Sequence, residues 1–238
     1  MATPLSRVSV TAHRGASGRY PENTRAAFLA AIELGVDIIE FDVRLTRDQQ
    51  LVVLHDAGVE RFAPGGGEAA ELDLAQLLEI DAGTWFHEEF AGQRLLSLQQ
   101  TLELMPPSMR LNVHVKATDG DREALVSLVV AELHRRELLT TAFVTGAEQN
   151  LLIARGLEPR LAICSNLAVS RCVEIGCRIL QPANGIATEE LVREAHEAGI
   201  EVHPFYADDI AEMERLINCG VDGILTNHPE RLQKLLLK

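Results

Sequence analysis

Short apolar runs alternate with amphipathic segments along most of this 238-residue chain. The runs are rich in valine, isoleucine and leucine, and helix-length segments separate them, a rhythm typical of βα units around a parallel sheet. One such segment predicts a helix over about 121–136, and capping residues mark others: Ser97 with Gln100, Thr188 and Asp209. The predicted strands are 8–13, 38–43, 51–55, 111–115, 142–144, 161–164, 178–180, 200–203 and 223–226.

All but one of these strands are expected to form a closed parallel barrel. Segment 44–50 is too short for a parallel crossover, so strand 51–55 should return antiparallel as a β-hairpin. The other eight strands, in a chain of this length, predict an α/β fold of the (β/α)8 TIM-barrel type, which has about 250 residues. We therefore expect one domain over 1–238, with a small loop-rich insertion at about 57–95 near the barrel mouth. The insertion is interpreted either as a wall or lid over the mouth or as a surface excursion.

The composition fits one acidic globular domain. Hydrophobic residues make up 47% of the chain, and 22 Lys and Arg against 35 Asp and Glu give a net charge of −13. This charge argues against nucleic acid or an anionic membrane as a general partner. There is no apolar run long enough for a membrane span, and residues 1–7 contain no signal-peptide core. The chain has four cysteines, and no two of them form a Cys-x-x-Cys pair. We therefore expect reduced thiols in a cytoplasmic protein.

Two acids on the second predicted strand indicate a cation site. Glu40 and Asp42 are two residues apart, so their side chains point to the same face of the strand. Like charges that close repel one another unless something positive lies between them. A divalent metal ion is the simplest solution.

Histidines stand at the ends of the two strands on either side, His13 on the first and His55 on the hairpin arm. If Asp48 and Gln49 form a two-residue turn, Asp42 lies opposite His55. Phosphodiester chemistry needs a base, an acid and positive charge around the phosphoryl oxygens. Two imidazoles, a metal held by carboxylates and an arginine would supply all of these.

Four motifs in the first quarter of the chain resemble the glycerophosphodiester phosphodiesterase family. Their order and spacing match the N-terminal signature of that family, and weaker similarity continues through 81–86 and 220–227. The motifs are His13-Arg14-Gly15-Ala16-Ser17-Gly18, Pro21-Glu22-Asn23-Thr24-Arg25-Ala26-Ala27-Phe28, Glu40-Phe41-Asp42-Val43 and Val52-Val53-Leu54-His55-Asp56.

The resemblance implies hydrolysis of a small glycerophosphodiester to glycerol 3-phosphate and an alcohol, a reaction of glycerol and lipid metabolism. It also implies attack by the glycerol 2-hydroxyl to give a cyclic phosphate, which water then opens. His13 as base and His55 as acid would divide the proton transfers, and their roles can exchange between the two steps.

The implied metal site consists of Glu40, Asp42 and His114. The family usually has a glutamate where this chain has His114. A neutral imidazole suits manganese, zinc or cobalt better than magnesium or calcium, so one divalent ion of the first group is expected. The alternatives are that His114 marks decay of the site, or that it is a hydrogen-bonded histidine on an inward face.

Other residues are expected to bind the substrate or to support the site. Arg14 and Lys116 would neutralise the phosphate, because a guanidinium matches phosphate oxygens in a bidentate way. Phe205 stands where the family commonly has tryptophan and could stack against the alcohol. Glu22 would orient a histidine or arginine from behind. The remaining expectations are that Asn23 and Thr24 cap a helix, that Asp208, an asparagine in the family, begins the next helix, and that His203 and Asn227 lie at strand ends near the site.

Two other functions stay open at this point. A related phosphodiesterase or lyase could act on a lysophospholipid or a sugar phosphodiester. A barrel that binds a phosphodiester without turnover is the third possibility, although it would need no pair of imidazoles. A homo-oligomer is possible, and no surface feature predicts a specific protein partner.

Overall fold

The computed structural model describes residues 8–237, so the signal-peptide prediction for residues 1–7 lies outside them. Within this range the chain forms a sheet of ten strands with helices between most of them. The strands are β1 (Ser9–His13), β2 (Ile38–Leu45), β3 (Leu51–Val53), β4 (Leu96–Ser97), β5 (Arg110–Val115), β6 (Ala142–Gly146), β7 (Ala162–Ser165), β8 (Ile179–Leu180), β9 (Glu201–Val202) and β10 (Gly223–Thr226).

Helices follow most of the parallel strands, as the alternation of runs predicts. The helix predicted over about 121–136 spans Arg122–Arg135, and Ser97, Thr188 and Asp209 each cap a helix as expected. No helix within residues 8–237 is both long enough and apolar enough to cross a bilayer. The helices are α1 (Arg25–Leu34), α2 (Leu74–Leu77), α3 (Leu98–Leu104), α4 (Arg122–Arg135), α5 (Glu148–Leu157), α6 (Val169–Ile175), α7 (Glu189–Glu197), α8 (Ile210–Asn218) and α9 (Pro229–Leu236).

The sheet has the strand order of a parallel barrel. Its main path runs β10-β1-β2-β5-β6-β7-β8-β9, and every neighbouring pair along it is parallel. Backbone hydrogen bonds from Asp222 N to Val202 O (2.9 Å) and from Leu225 N to Pro204 O (3.1 Å) join the two edge strands. The predicted (β/α)8 barrel is confirmed. Its side chains at the carboxyl ends of the strands face one mouth.

The strand residues divide between two cores because side chains alternate across a strand. On β2, Ile39, Phe41 and Val43 face the helices and belong to the large cluster between sheet and helices. Ile38 lies inside the barrel in a small apolar cluster with Phe143 and two further residues. The acids of β2 follow Ile38 on the same inward face, so they stand above this apolar floor at the mouth.

The hairpin is present, but its predicted register is wrong by one residue. Asp42 lies opposite Leu54, whose backbone N donates to Asp42 O (3.0 Å), and not opposite His55. The hairpin loop has three residues, 47–49, and not the two that were predicted. Its last residue, Gln49, adopts a left-handed conformation with φ of 58°. Such an ending is typical of a three-residue hairpin loop and shifts the pairing by one residue.

The insertion at 57–95 has a small core of its own. Two hairpin residues and five insertion residues form this cluster, separate from the barrel core. The Asp81 carboxylate fixes a turn of the insertion by accepting from the backbone N of Gly83, Thr84 and Gly92, at 2.7–2.9 Å. The members of the cluster are Val52, Leu54, Val59, Ala69, Leu77, Ala82 and Leu95.

Candidate functional site

A cavity of about 400 Å³ opens at the carboxyl ends of the barrel strands. Most of the predicted site residues line it, while Asp42 and Glu22 lie behind the lining. None of residues 57–95 is among the residues that line the cavity. The lining residues are His13, Arg14, Glu40, His55, His114, Lys116, Thr145, Gly146, Ala147, Asn166, Gln181, Phe205, Tyr206 and Leu225.

Glu40, Asp42 and His114 form a group that could hold a metal ion. Parallel pairing of β2 with β5 places Asp42 beside His114, and Glu40 shares the inward face. One ligand atom from each residue lies within 4.8 Å of the others. His114 Nδ1 is 3.2 Å from Asp42 Oδ1 and 3.7 Å from Glu40 Oε1. The buried Asp42 Oδ1 accepts no hydrogen bond, and two carboxylates with one imidazole are a donor set that fits a divalent transition metal.

Asp42 is fully buried and is surrounded by positive and donor groups. Arg14 Nε lies 3.2 Å from Oδ2, Lys116 Nζ lies 3.6 Å from Oδ1, and Asn23 Nδ2 donates to Oδ2 at 3.1 Å. Burial alone would raise the pKa of Asp42, but His114, Arg14 and Lys116 together hold it well below its usual value. Burial would lower the pKa of His114, and the two carboxylates beside it raise it.

His13 is held from both sides. Its Nδ1 is 2.7 Å from Asn227 Oδ1, its Nε2 is 3.9 Å from Glu40 Oε2, and its ring stacks on Tyr206 with centroids 5.4 Å apart and an interplanar angle of 17°. The sharp turn after His13 needs a glycine, because Gly15 has φ of 80° and a Cβ there would lie 2.6 Å from the carbonyl carbon of Ala27. The His13 side chain is thus fixed at the cavity wall.

Behind Asn227 lies the Asp208 carboxylate. Asn227 Nδ2 donates to Asp208 Oδ2 at 2.6 Å, and the backbone N of Asn227 donates to Oδ1 at 2.8 Å. The expectation that Asp208 begins the next helix is wrong. Helix α8 begins at Ile210, and Asp209 is its cap, which leaves Asp208 free to face the strand ends.

His55 follows the end of β3 and has a charged partner. Its Nδ1 is 2.8 Å from Asp56 Oδ1, and the Arg44 guanidinium donates twice to its carbonyl oxygen, at 3.0 and 2.6 Å. These two hydrogen bonds from Arg44 hold the His55 backbone at the mouth, although the register of the hairpin differs from the prediction. Burial first, and then the cations of Arg14 and Lys116, lower the pKa of His55 below its ordinary value.

Arg61 connects the insertion to the site. Its Nη2 donates to Glu22 Oε1 at 2.7 Å and lies 2.8 Å from Asp56 Oδ2, so one guanidinium holds two carboxylates. Its carbon Cζ lies 4.5 Å from the centre of the Trp85 ring, a cation–π contact. Glu22 in turn accepts from Arg14 Nη1 at 2.9 Å. Glu22 therefore orients an arginine, as its predicted supporting role requires.

Several residues around the site were missed or given another role. Asn23 was expected to cap α1 with Thr24, but Thr24 alone caps it and Asn23 contacts Asp42. Tyr206 and Arg61 carry no motif or periodicity, so only the folded chain reveals them. His203, expected near the site, is buried beside Gly223 and does not line the cavity.

Comparisons with known proteins agree with this geometry. The model of the glycerophosphoryl diester phosphodiesterase family matches residues 13–231. A glycerophosphodiester phosphodiesterase of Caldanaerobacter subterraneus is 34% identical over 240 residues, covering 96% of this chain and 98% of the relative. The structure of an Oleispira antarctica phosphodiesterase in complex with the product sn-glycerol-3-phosphate superposes with a TM-score of 0.90, 27% identity and 97% coverage of each chain. A glycerophosphodiester phosphodiesterase from Agrobacterium tumefaciens, 24% identical with a TM-score of 0.86, covers 95% of this chain and 99% of its own and shares the fold.

Proposed function

Because the chain belongs to the glycerophosphoryl diester phosphodiesterase family, we propose that its cavity hydrolyses glycerophosphodiesters to glycerol 3-phosphate and an alcohol by metal-assisted acid–base catalysis. The protein is a phosphoric diester hydrolase of this type. The observation that carries the proposed mechanism is that two histidines, two cationic side chains, Glu40 and His114 line one cavity, with Asp42 directly behind them in the same group. The product-bound Oleispira relative supports a small glycerol-containing substrate.

Glu40, Asp42 and His114 would hold one divalent cation. When bound, the cation supplies positive charge to a phosphoryl oxygen and lowers the pKa of a hydroxyl beside it. Manganese, zinc or cobalt is favoured over magnesium or calcium, because His114 contributes a nitrogen ligand. Arg14 lies against Oδ2 of Asp42 and Lys116 against Oδ1, and both cations favour the ionised carboxylate that a metal ion needs.

The phosphate would lie between the metal ligands and two cationic side chains. Arg14 uses Nε and Nη1 on Asp42 and Glu22, which leaves further N–H donors of its fork for phosphate oxygens. Lys116 lies 3.6 Å from Asp42, on the same wall of the cavity. Phe205 and Tyr206 provide an apolar wall for the glycerol or the alcohol.

The two histidines would carry the protons. In the first step His13 Nε2 removes the proton of the glycerol 2-hydroxyl while the hydroxyl oxygen bonds to phosphorus. At the same time the phosphorus–oxygen bond to the alcohol breaks, and His55 gives a proton to the leaving alkoxide. In the second step His55 takes a proton from water as the water oxygen bonds to phosphorus. His13 then returns its proton to the 2-oxygen, which opens the cyclic phosphate and restores both residues.

The test is release of glycerol 3-phosphate from glycerophosphocholine by metal-stripped protein, with manganese, zinc, cobalt, magnesium or calcium added in turn. We expect activity to return with one of the first three. The variant His114→Glu should shift this preference toward magnesium or calcium, since both prefer oxygen ligands. Restoration of the native protein by magnesium or calcium alone would remove His114 from the ligand set. Full activity after exhaustive chelation, or none in folded protein with any metal, would contradict the proposal.

A further inference from the structure

Asp208, Asn227 and His13 form a line of hydrogen bonds that ends at the cavity. Asn227 Nδ2 lies 2.6 Å from Asp208 Oδ2, and Asn227 Oδ1 lies 2.7 Å from His13 Nδ1. The nitrogen and the oxygen of the Asn227 amide therefore contact two different partners. Ser17 Oγ lies 2.8 Å from Asn227 Oδ1 and 2.7 Å from the carbonyl oxygen of His13, and its single proton can serve only one of these two oxygens.

The chemistry of these groups fixes the direction of each hydrogen bond. An ionised carboxylate only accepts, so Asp208 must face the NH₂ end of the Asn227 amide. The carbonyl end then faces His13, and because it too only accepts, His13 Nδ1 must carry a proton. A neutral imidazole with its proton on Nδ1 has a bare lone pair on Nε2. That nitrogen is the one on the cavity side, 3.9 Å from Glu40.

Asp208 is itself held in place, so it can orient the amide. Its Oδ1 accepts from Thr226 Oγ1 at 2.9 Å and from the backbone N of Asn227 at 2.8 Å, while Oδ2 takes the amide. On the far side of the line, stacking on Tyr206 restricts rotation of the His13 ring. A rotated Asn227 amide would bring its NH₂ against His13 and its oxygen against the carboxylate, which loses two hydrogen bonds at once.

We propose that Asp208 is a positioning residue that acts through Asn227 to hold His13 in the tautomer with Nδ1 protonated and Nε2 free to accept a proton. The inference rests on the proposed role of His13 as the base of the first step. Asp208 does not line the cavity, so its effect on the reaction passes through the Asn227 amide. Substitution should therefore change kcat and the state of the imidazole, and leave the KM for substrate nearly unchanged.

The first test replaces Asp208 with asparagine, which keeps the size and removes the accept-only character. The amide of Asn227 can then rotate, and part of the protein should carry His13 with its proton on Nε2. We expect kcat to fall by about 10-fold, less than the 10²–10⁴ for complete loss of a general base. Long-range ¹H–¹⁵N correlation spectra of the full-length protein, at a pH where the imidazole is neutral, report the tautomer directly. Asp209→Asn is the matched control, because Asp209 caps α8 through Ala211 and asparagine caps equally well.

The second test exchanges the two side chains. Asn227→Asp alone sets two carboxylates against each other where the structure has a 2.6 Å contact, and their repulsion should lower kcat more than Asp208→Asn does. In the double variant Asp208→Asn with Asn227→Asp, a carboxylate again accepts from His13 Nδ1 and an amide again donates behind it. We expect the Nδ1-protonated tautomer to return, with kcat within a few-fold of the native value.

The outcomes separate this inference from the proposed function. A Nδ1-protonated His13 in native protein, a changed tautomer in Asp208→Asn and recovery in the exchanged variant would support the positioning role. An unchanged tautomer in Asp208→Asn, or a kcat loss that the exchange leaves in place, would overturn it while hydrolysis by the native enzyme stands. Full activity in His13→Ala would instead remove His13 from the mechanism, whatever the spectra show.

Discussion

The two histidines of the cavity stand on different parts of the molecule and have different partners. His13 ends a barrel strand, and its Nδ1 meets a neutral amide that belongs to the end of β10. His55 follows the hairpin arm, and its Nδ1 meets the Asp56 carboxylate, which Arg61 of the insertion holds from behind. The barrel therefore supports one imidazole and the insertion supports the other.

This difference matches two different chemical tasks. A neutral partner fixes a tautomer without adding charge, which suits a residue that must present a lone pair. A carboxylate partner favours the imidazolium form, which suits a residue that must give up a proton. Asp56 raises the pKa of His55 against the stronger lowering by burial. The difference in hydrogen-bond partner is the observation that favours His13 as base and His55 as acid in the first step; the net lowering of the His55 pKa does not add to it.

The largest expected effect comes from removing either imidazole. His13→Ala and His55→Ala should each lower kcat for glycerophosphocholine by about 100-fold or more, because each removes one proton transfer. Circular dichroism and thermal unfolding should show a folded protein in both cases. His87→Ala, on the exposed surface of the insertion, is the control that should behave as native. Near-native turnover in either cavity variant would show that the replaced histidine carries no proton in the reaction.

The next effect separates the two partners by pH. If His55 acts as an acid, activity falls as the pH rises through the pKa of His55. Asp56→Asn removes a carboxylate that raises this pKa, so the alkaline fall should move to lower pH, with kcat at neutral pH reduced by about 10-fold. Measurements of kcat across the pH range report this shift. Glu60→Gln is the control, because it makes the same charge change elsewhere on the insertion and should leave the profile in place. An alkaline limb that stays in place would remove Asp56 from this role.

The smallest effect concerns the contact that links insertion and barrel. Arg61→Met keeps the length of the side chain but releases Glu22 and Asp56 together, so kcat/KM should fall about fivefold and the free energy of unfolding by about 1 kcal/mol. Arg61→Lys should recover only part of both, since an ammonium lacks the planar guanidinium that lies over the Trp85 ring. Arg47→Met, on an exposed arginine paired with Asp73, is the control. Equal values for Arg61→Met and Arg47→Met would show that the link does not matter to catalysis.

The sequence predicts the barrel and the centre of the site well because both follow from local patterns. The two-residue spacing of Glu40 and Asp42 puts both acids on the inward face of β2, and strand ends place His13 and His114 at the same mouth. These predictions need only strand periodicity and the rule that the carboxyl ends of barrel strands form the site.

The supporting residues could not be predicted in the same way. Arg61 reaches Glu22 across 39 positions of the chain, and Asp208 reaches Asn227 across 19, so both contacts exist only after the barrel has closed. The hairpin register failed for a local reason, the left-handed Gln49 that lengthens the loop. A cytoplasmic location and a homo-oligomer stay predictions from the sequence.

The most direct test of the divided roles compares two leaving groups in the same two variants. With glycerophosphocholine the departing alkoxide needs a proton, whereas the p-nitrophenyl ester of glycerol phosphate releases a stable phenolate that does not. The rate compared is that of the first turnover, in which the alcohol leaves before the cyclic phosphate opens. We predict that His55→Ala recovers most of its lost first-turnover rate, relative to the native enzyme, on the p-nitrophenyl ester, while His13→Ala stays deficient on both substrates. Equal deficiency of both variants on both substrates, or recovery by His13→Ala in place of His55→Ala, would contradict it.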